Sequence, residues 1–183
     1  LAINFAVFNT QFDNYQVALP DLSGLFRNVF NADANVTGFE LEMRVEPVKG
    51  LSLIAGLGYI SSQFGRYVNP QTGQSFNGNR LPYAPDLTYN LAVQYRSSGG
   101  FLGRLELQGF GTYFFDDGNE LKQSPFALVN ARLGYEGKNF GVYLFANNLF
   151  DKRYVNSAFL FPPNVVSSYG DPATYGIQIK ASF

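Results

Sequence analysis

The chain has 183 residues, and its 13 Lys plus Arg against 14 Asp plus Glu leave a formal net charge of −1, which argues against a nucleic-acid partner because phosphate recognition needs a basic excess. The absence of Cys excludes disulfide scaffolds, cysteine-zinc sites and thiol nucleophiles; the absence of His excludes His triads, His-ligated metals and imidazole switches. Charged residues are only 15 %, low against the ~25 % of a soluble domain, yet the longest apolar stretches (Gly50–Ile60, Phe140–Phe145) fall short of the ~18 residues of a membrane-spanning helix.

The pattern has period 2 throughout, which predicts strands. It opens directly at Leu1, with no basic leader ahead of it, so a first strand is expected over 1–12. The second, 34–47, sets Phe39, Leu41, Met43 and Val45 against Glu40, Glu42, Arg44 and Glu46. The third, 50–62, carries Gly56 and Gly58 in its interior, read as relief of crowding in a curved sheet rather than as close approach of a lumenal element. In the fourth, 84–97, Leu87, Tyr89, Leu91, Val93 and Tyr95 share a face. The fifth, 101–115, alternates Leu105 and Leu107 with Arg104, Glu106 and Gln108, then runs through Gly109 and Gly111 to Tyr113 and Phe115. Strands over 126–136, 139–150 and 173–183 complete a predicted set of eight, the last placing Tyr175, Ile177, Ile179, Ala181 and Phe183 on one face.

The connections alternate in kind. Short turns fall at Pro47–Gly50, Ser97–Gly100 and Gly137–Lys138; long polar loops occupy 13–33, 63–83, 116–125 and 151–172. In an antiparallel meander this puts all long loops at one end, the habit of a transmembrane β-barrel with short periplasmic turns and long extracellular loops. Tyr59, Tyr89, Tyr95, Tyr113, Phe115, Tyr135, Tyr175 and Phe183 near strand ends suit interfacial girdles, and the opposite face suits a wet lumen.

Asp116, Asp117, Glu120 and Asp151 form no catalytic constellation, since no nucleophile or metal-ligand set accompanies them, so neither enzyme activity nor a cofactor or metal is expected. Asp116-Asp117-Gly118-Asn119 is too short for an EF-type calcium loop. The binding candidates are in the loops: Arg66, Tyr67, Asn79, Arg80 and Tyr83 in 63–83, and Tyr154, Phe159, Phe161 and Tyr169 in 151–172. Aromatic and Arg surfaces suit a large anionic ligand; the competing reading is that these side chains pack the loops together.

Five segments carry a family resemblance: Asn31–Glu42; Pro47–Leu53 with Leu57-Gly-Tyr59; Asn79–Asn90; Asn147-Asn-Leu-Phe-Asp-Lys-Arg-Tyr154; and Tyr169–Gly176 leading to Phe183. In this order the chain resembles the C-terminal part of the barrel of TonB-dependent outer-membrane receptors. The resemblance implies an all-β antiparallel transmembrane meander, about eight strands of a barrel of about 22. It implies a plug domain and a TonB-engaging segment outside this sequence, the chain being a fragment of the receptor. It implies active uptake of a scarce solute, most often a ferric siderophore, in a Gram-negative outer membrane. The row Tyr175, Ile177, Ile179, Ala181 and Phe183 resembles the signal read by the barrel assembly machinery, and Asp151-Lys152-Arg153 is read as the charged end of a strand. A free-standing small barrel (adhesin or structural), a porin and a soluble ligand-binding barrel stay open as rivals.

Overall fold

A computed structural model of the chain describes residues 1–20, 26–161 and 163–181. Twelve strands follow in order: β1 (Ala2–Pro20), β2 (Arg27–Val48), β3 (Leu51–Phe64), β4 (Leu87–Arg96), β5 (Phe101–Phe110), β6 (Tyr113–Phe114), β7 (Lys122–Gln123), β8 (Phe126–Glu136), β9 (Phe140–Asn147), β10 (Val155–Phe161), β11 (Asn164–Tyr169) and β12 (Thr174–Ala181). Eight of them make one antiparallel sheet in the order β1-β2-β3-β4-β5-β8-β9-β12, while β6-β7 and β10-β11 are separate hairpins in the long connections. The sheet is an open wall: β1 and β12 each pair on one side only.

The register explains how the alternation works. Ile3 faces Met43, Met43 faces Ala55, Ala55 faces Leu91, and Leu91 faces Leu107. One row nearer the short turns, Leu53, Val93, Leu105, Ala131 and Ala146 lie side by side. The result is an apolar belt across all eight strands, and most of its large members, among them Ile3, Leu91, Val93 and Leu105, are exposed. Exposed apolar area on this scale needs a nonaqueous neighbour. Tyr95, Tyr135 and Phe140 edge the belt at the short-turn end, and Tyr59 and Tyr175 edge it at the loop end. Such aromatic margins mark the two interfaces of a bilayer.

The opposite face is polar and internally paired. Arg104 Nη2 meets Glu106 Oε2 at 2.7 Å, whose other oxygen accepts from Gln108 at 2.7 Å. Arg96 pairs with Glu136, which also accepts from the Tyr143 hydroxyl at 2.8 Å, and Arg132 lies 4.2 Å above the Tyr143 ring. Cross-strand neighbours fill the space at the interior glycines. On the apolar face the Tyr89 ring covers Gly109, where a Cβ would sit 2.0 Å from it, and on the polar face the Asn90 amide covers Gly56.

Three expectations are corrected. Residues 13–20 and 27–33 are strand rather than loop, because β1 and β2 continue pairing past an irregularity between Phe12 and Tyr15 at which Asn14 turns to φ 64°. Tyr113 and Phe115 are not girdle residues; both are buried in a loop cluster with Phe126 and Ala158. The 151–172 connection contains the β10–β11 hairpin. Phe183 lies outside the described residues.

Candidate functional site

All the long connections rise from one end of the wall and are welded together. In the connection after β3, the Val68–Ser75 bridge and the bond from Phe76 N to Tyr67 O at 2.9 Å fold residues 67–76 back on themselves. This places Phe64, Tyr67, Phe76 and Leu81 in a buried cluster with Val17, Ala32 and Ala34 of the extended β1–β2 hairpin. The extension of β1 and β2 thus has a cause: their alternate apolar residues bury against this loop rather than facing lipid.

A second seam joins this connection to the one between β5 and β8. The Tyr67 hydroxyl donates to Asp117 Oδ2 at 3.0 Å, and the Asn79 amide donates to the Asp117 carbonyl at 2.8 Å. Asn119 takes the Arg80 backbone at both ends, accepting from its N–H at 2.7 Å and donating to its carbonyl at 2.9 Å. The Arg80 guanidinium pairs with Asp86 at 3.2 Å, donates to the Thr112 carbonyl at 2.7 Å, and lies 5.5 Å from the Phe114 ring centre. Burial, with the nearby Asp117 charge, pushes the Tyr67 phenol well above its ordinary value. Burial also raises the Asp117 carboxyl, against the opposing hydrogen bond from Tyr67.

A third seam reaches the β10–β11 hairpin. Tyr113 Oη donates to the Val155 carbonyl at 3.2 Å, and Gln123 accepts from Val155 N at 2.7 Å. Phe110, Phe126 and Tyr154 stack in succession, with ring centres 5.1 and 4.4 Å apart.

The Asn147–Tyr154 segment owes its composition to a corner. Asn148, 4 % exposed, takes φ 48°, and Asp151 takes φ 50°. The Asn148 amide donates to the carbonyls of Lys152 and Asp171, both at 3.0 Å, and its oxygen accepts from Lys152 N at 2.8 Å. Asp151 Oδ1 accepts from Ala173 N at 3.0 Å. Asn and Asp tolerate the left-handed region and bond nearby backbone, so these two residues fold the chain back onto the start of β12. The sequence reading of Asp151 as a strand-end charge found the place but missed Asn148, whose signal was an Asn and Asp three residues apart at the end of a strand.

The sequence-predicted loop residues separate into two groups. Tyr67 and Arg80 are tied into the seams, while Arg66, Tyr83, Phe159 and Tyr169 present exposed surface. The Arg66 side chain is 84 % exposed beside Asp33. Tyr83 is held at φ 58° by a backbone bond to Phe114 and packs edge-on against Phe115 at 5.6 Å, which fixes an exposed ring in place. Phe159 and Tyr169 lie on the outlying hairpin, joined to the rest through Val155. Among the described residues, no group of three or more acidic side chains is arranged to hold a metal ion.

Residues 1–149 match the family described as TonB dependent receptor-like, beta-barrel. The chain is 26 % identical to the pesticin receptor of Yersinia pestis over 155 residues, which cover 82 % of this chain and 22 % of that protein. It is 26 % identical to the ferrichrome outer membrane transporter/phage receptor of Escherichia coli K12 over 170 residues, covering 87 % of this chain and 21 % of that one. The ferric yersiniabactin uptake receptor of Yersinia pestis superposes with a TM-score of 0.83 at 26 % identity, over 99 % of this chain and 27 % of that structure. The chain therefore spans about a fifth of the length of these curated relatives.

Proposed function

The chain belongs to the TonB-dependent receptor β-barrel family, a wall of the Gram-negative outer membrane, and from that premise we propose that it serves active uptake of a ferric siderophore. The observation that carries the reading is the seamed rim above an open, polar-faced wall. Arg66, Tyr83, Phe159 and Tyr169 offer a cation and aromatic rings at the loop end, chemistry suited to a bulky anionic chelate. Tyr67 and Arg80 hold that rim in place. The relatives' printed names, a ferrichrome transporter and a ferric yersiniabactin uptake receptor, support the same solute class.

Three partners are part of the proposal: a plug domain, TonB and the assembly machinery. The polar inner face needs a filling, which a plug domain supplies. TonB supplies the work, because a receptor in the outer membrane has no nucleotide to spend, and the ligand must bind the closed and open states with different affinity. The β12 edge shows Tyr175, Ile177 and Ile179 in one exposed row, with Ala181 continuing it. That row is a template for strand addition by the assembly machinery.

The test is accumulation of radioactive iron by iron-starved cells presented with one loaded siderophore at a time. Deleting the gene abolishes uptake of at least one siderophore, restoring it returns uptake, and removing TonB has the same effect as deletion. Equal uptake of every siderophore by deleted and restored cells overturns the assignment.

A further inference from the structure

Below the rim, the charges of the inner face are sorted by strand. On β2, Glu40, Glu42 and Glu46 stand against Arg44, an excess of two negative charges. On β4 to β12, Arg96, Arg104, Arg132 and Lys180 stand against Glu106 and Glu136, an excess of two positive charges. These cations lie toward the short turns. Arg132 is six residues along β8 from Phe126 of the loop cluster, about 20 Å at the rise of a strand.

Within this group Arg132 is held differently. Arg44, Arg96 and Arg104 each pair with a carboxylate of the wall itself. Arg132 donates to the neutral Gln178 amide oxygen and lies over the Tyr143 ring, and among the described residues no carboxylate pairs with it. Glu106 is already committed to Arg104 and Gln108, and Glu136 to Arg96 and Tyr143. Arg132 also stands directly opposite Arg104 across the β5–β8 pair, a relation in which like charges repel. The rings beside it lie down along the wall: Tyr143 covers Gly134 and Phe145 covers Gly176, where a Cβ would come 2.4 Å from each ring. Two neighbouring guanidinium groups with a single countercharge make an arrangement that an anion from the lumen completes.

We propose that Arg132, with Arg104 beside it, is a transit site for an anionic solute on the inner wall, separate from the rim and on its exit side. The identity of the occupant as an anionic chelate rests on the uptake reading. A transit site must attract its ligand yet release it. Gln178 and Tyr143 keep the Arg132 guanidinium in place when it is empty, and lumenal water and salt screen it, so the hold on an anion is brief. A carboxylate of the plug is the competing occupant, and it would neutralise Arg132 permanently.

The test uses the receptor at its natural length, without other cysteines, in outer membranes. Asn147→Cys puts a thiol at an exposed position of the same face, diagonal to Arg132 across the β8–β9 pair. Its labelling rate is measured with anionic sulfonatoethyl methanethiosulfonate and cationic trimethylammonioethyl methanethiosulfonate. Relative to a free thiol, the anionic probe is expected to gain about fivefold over the cationic one; adding Arg132→Gln removes most of that gain, and Arg132→Lys keeps it. No gain, a gain that Arg132→Gln leaves intact, or a thiol that neither probe reaches overturns the site, because the wall there is then neutralised or sealed. A second readout ties the site to the solute. Arg132→Gln is expected to leave siderophore affinity at the cell surface within about twofold of wild type while lowering the TonB-dependent uptake rate about fivefold, and Arg132→Lys restores the rate. An unchanged rate, or a loss that Arg132→Lys does not recover, overturns the transit role. Labelling needs no transport, so the two readings fail separately: absent uptake in the wild type overturns the uptake reading and the chelate as occupant, while the labelling still decides whether Arg132 draws anions.

Discussion

The Tyr67 hydroxyl donates to the Asp117 carboxylate at 3.0 Å across 50 residues of sequence, joining two loops that share no strand pairing. The Tyr67 ring is 1 % exposed, so its phenol has little access to water as an alternative partner. Tyr67→Phe is expected to destabilise the joined loops by about 1–3 kcal/mol, because the half-buried carboxylate loses its donor. Asp117→Asn is expected to be close to neutral, because an amide oxygen still accepts from Tyr67 and no charge is buried. Amide exchange at Tyr67 and Asn79 reads both changes; equal loss of protection in the two variants would show that charge, not donor supply, governs the seam.

The same pair sets a pH dependence. The Tyr67 phenol holds its proton more tightly folded than unfolded, so its contribution is intact below about pH 10 and is lost as pH rises above that. The Asp117 carboxyl is also raised, so its contribution is full below about pH 3.9 and declines as pH climbs through the folded value. Protection of residues 67–79 from proteolysis is therefore expected to be greatest in mild acid, lower at neutral pH and lost in strong alkali. In Tyr67→Phe the alkaline step disappears; a step that persists assigns it to another group.

Under the proposed function, Arg66 contacts the ligand and Arg80 supports the rim. Arg80 anchors Asp86 and the Thr112 carbonyl, whereas Arg66 reaches out beside Asp33. Arg66→Ala is expected to weaken siderophore affinity about five- to fiftyfold, the worth of about 1–2.3 kcal/mol, with loop protection unchanged. Arg80→Ala is expected to lower affinity together with loop protection, and Arg80→Lys recovers only part of either because an ammonium cannot reproduce the planar fork. Loss of affinity in Arg80→Ala with full protection would move Arg80 into the ligand site.

The order of the eight wall strands was legible because a two-residue repeat survives at every wall position and the turn residues are local. The extra length of β1 and β2 was also written as alternation, in Tyr15, Val17 and Leu19 and in Phe30, Ala32, Ala34 and Val36. It was hidden by Asp13-Asn14, which reads as a turn but forms an irregularity inside the strand. That some of these side chains pack the loops together was one of the two readings, but their partners were not legible: Tyr67, Asn79 and Arg80 bond to residues 38 to 50 positions away, and nothing local marks an Arg as anchored or free. Composition placed aromatic and Arg residues in the right loops; only packing divides them into those that hold the rim and those that face outward.

Asn148 tests the corner that returns the chain to β12. Asn148→Ala removes two donated bonds and one accepted bond and places Ala at φ 48°, for an expected loss of about 2–4 kcal/mol. Asn148→Asp is expected to be at least as damaging, because it points a carboxylate at the Lys152 and Asp171 carbonyls. Urea unfolding of the receptor in detergent measures both. Full stability of Asn148→Asp would mean that the accepted bond from Lys152 carries the corner.

Leu91 tests which face meets lipid. It stands halfway along β4 between Ala55 and Leu107, half exposed, in the row that also holds Met43. Its neighbour Asn90 points to the other side, beside Gly56 and Gln108 and in the row of Glu42. An Arg at the bilayer midplane of a barrel costs about 2–4 kcal/mol, while a lumenal Arg near carboxylates is tolerated. Leu91→Arg is therefore expected to lower unfolding stability by that amount and to reduce the folded fraction in the outer membrane, with Asn90→Arg close to wild type. The reverse ranking would place the polar face against lipid, and with it every loop residue on the wrong side of the wall.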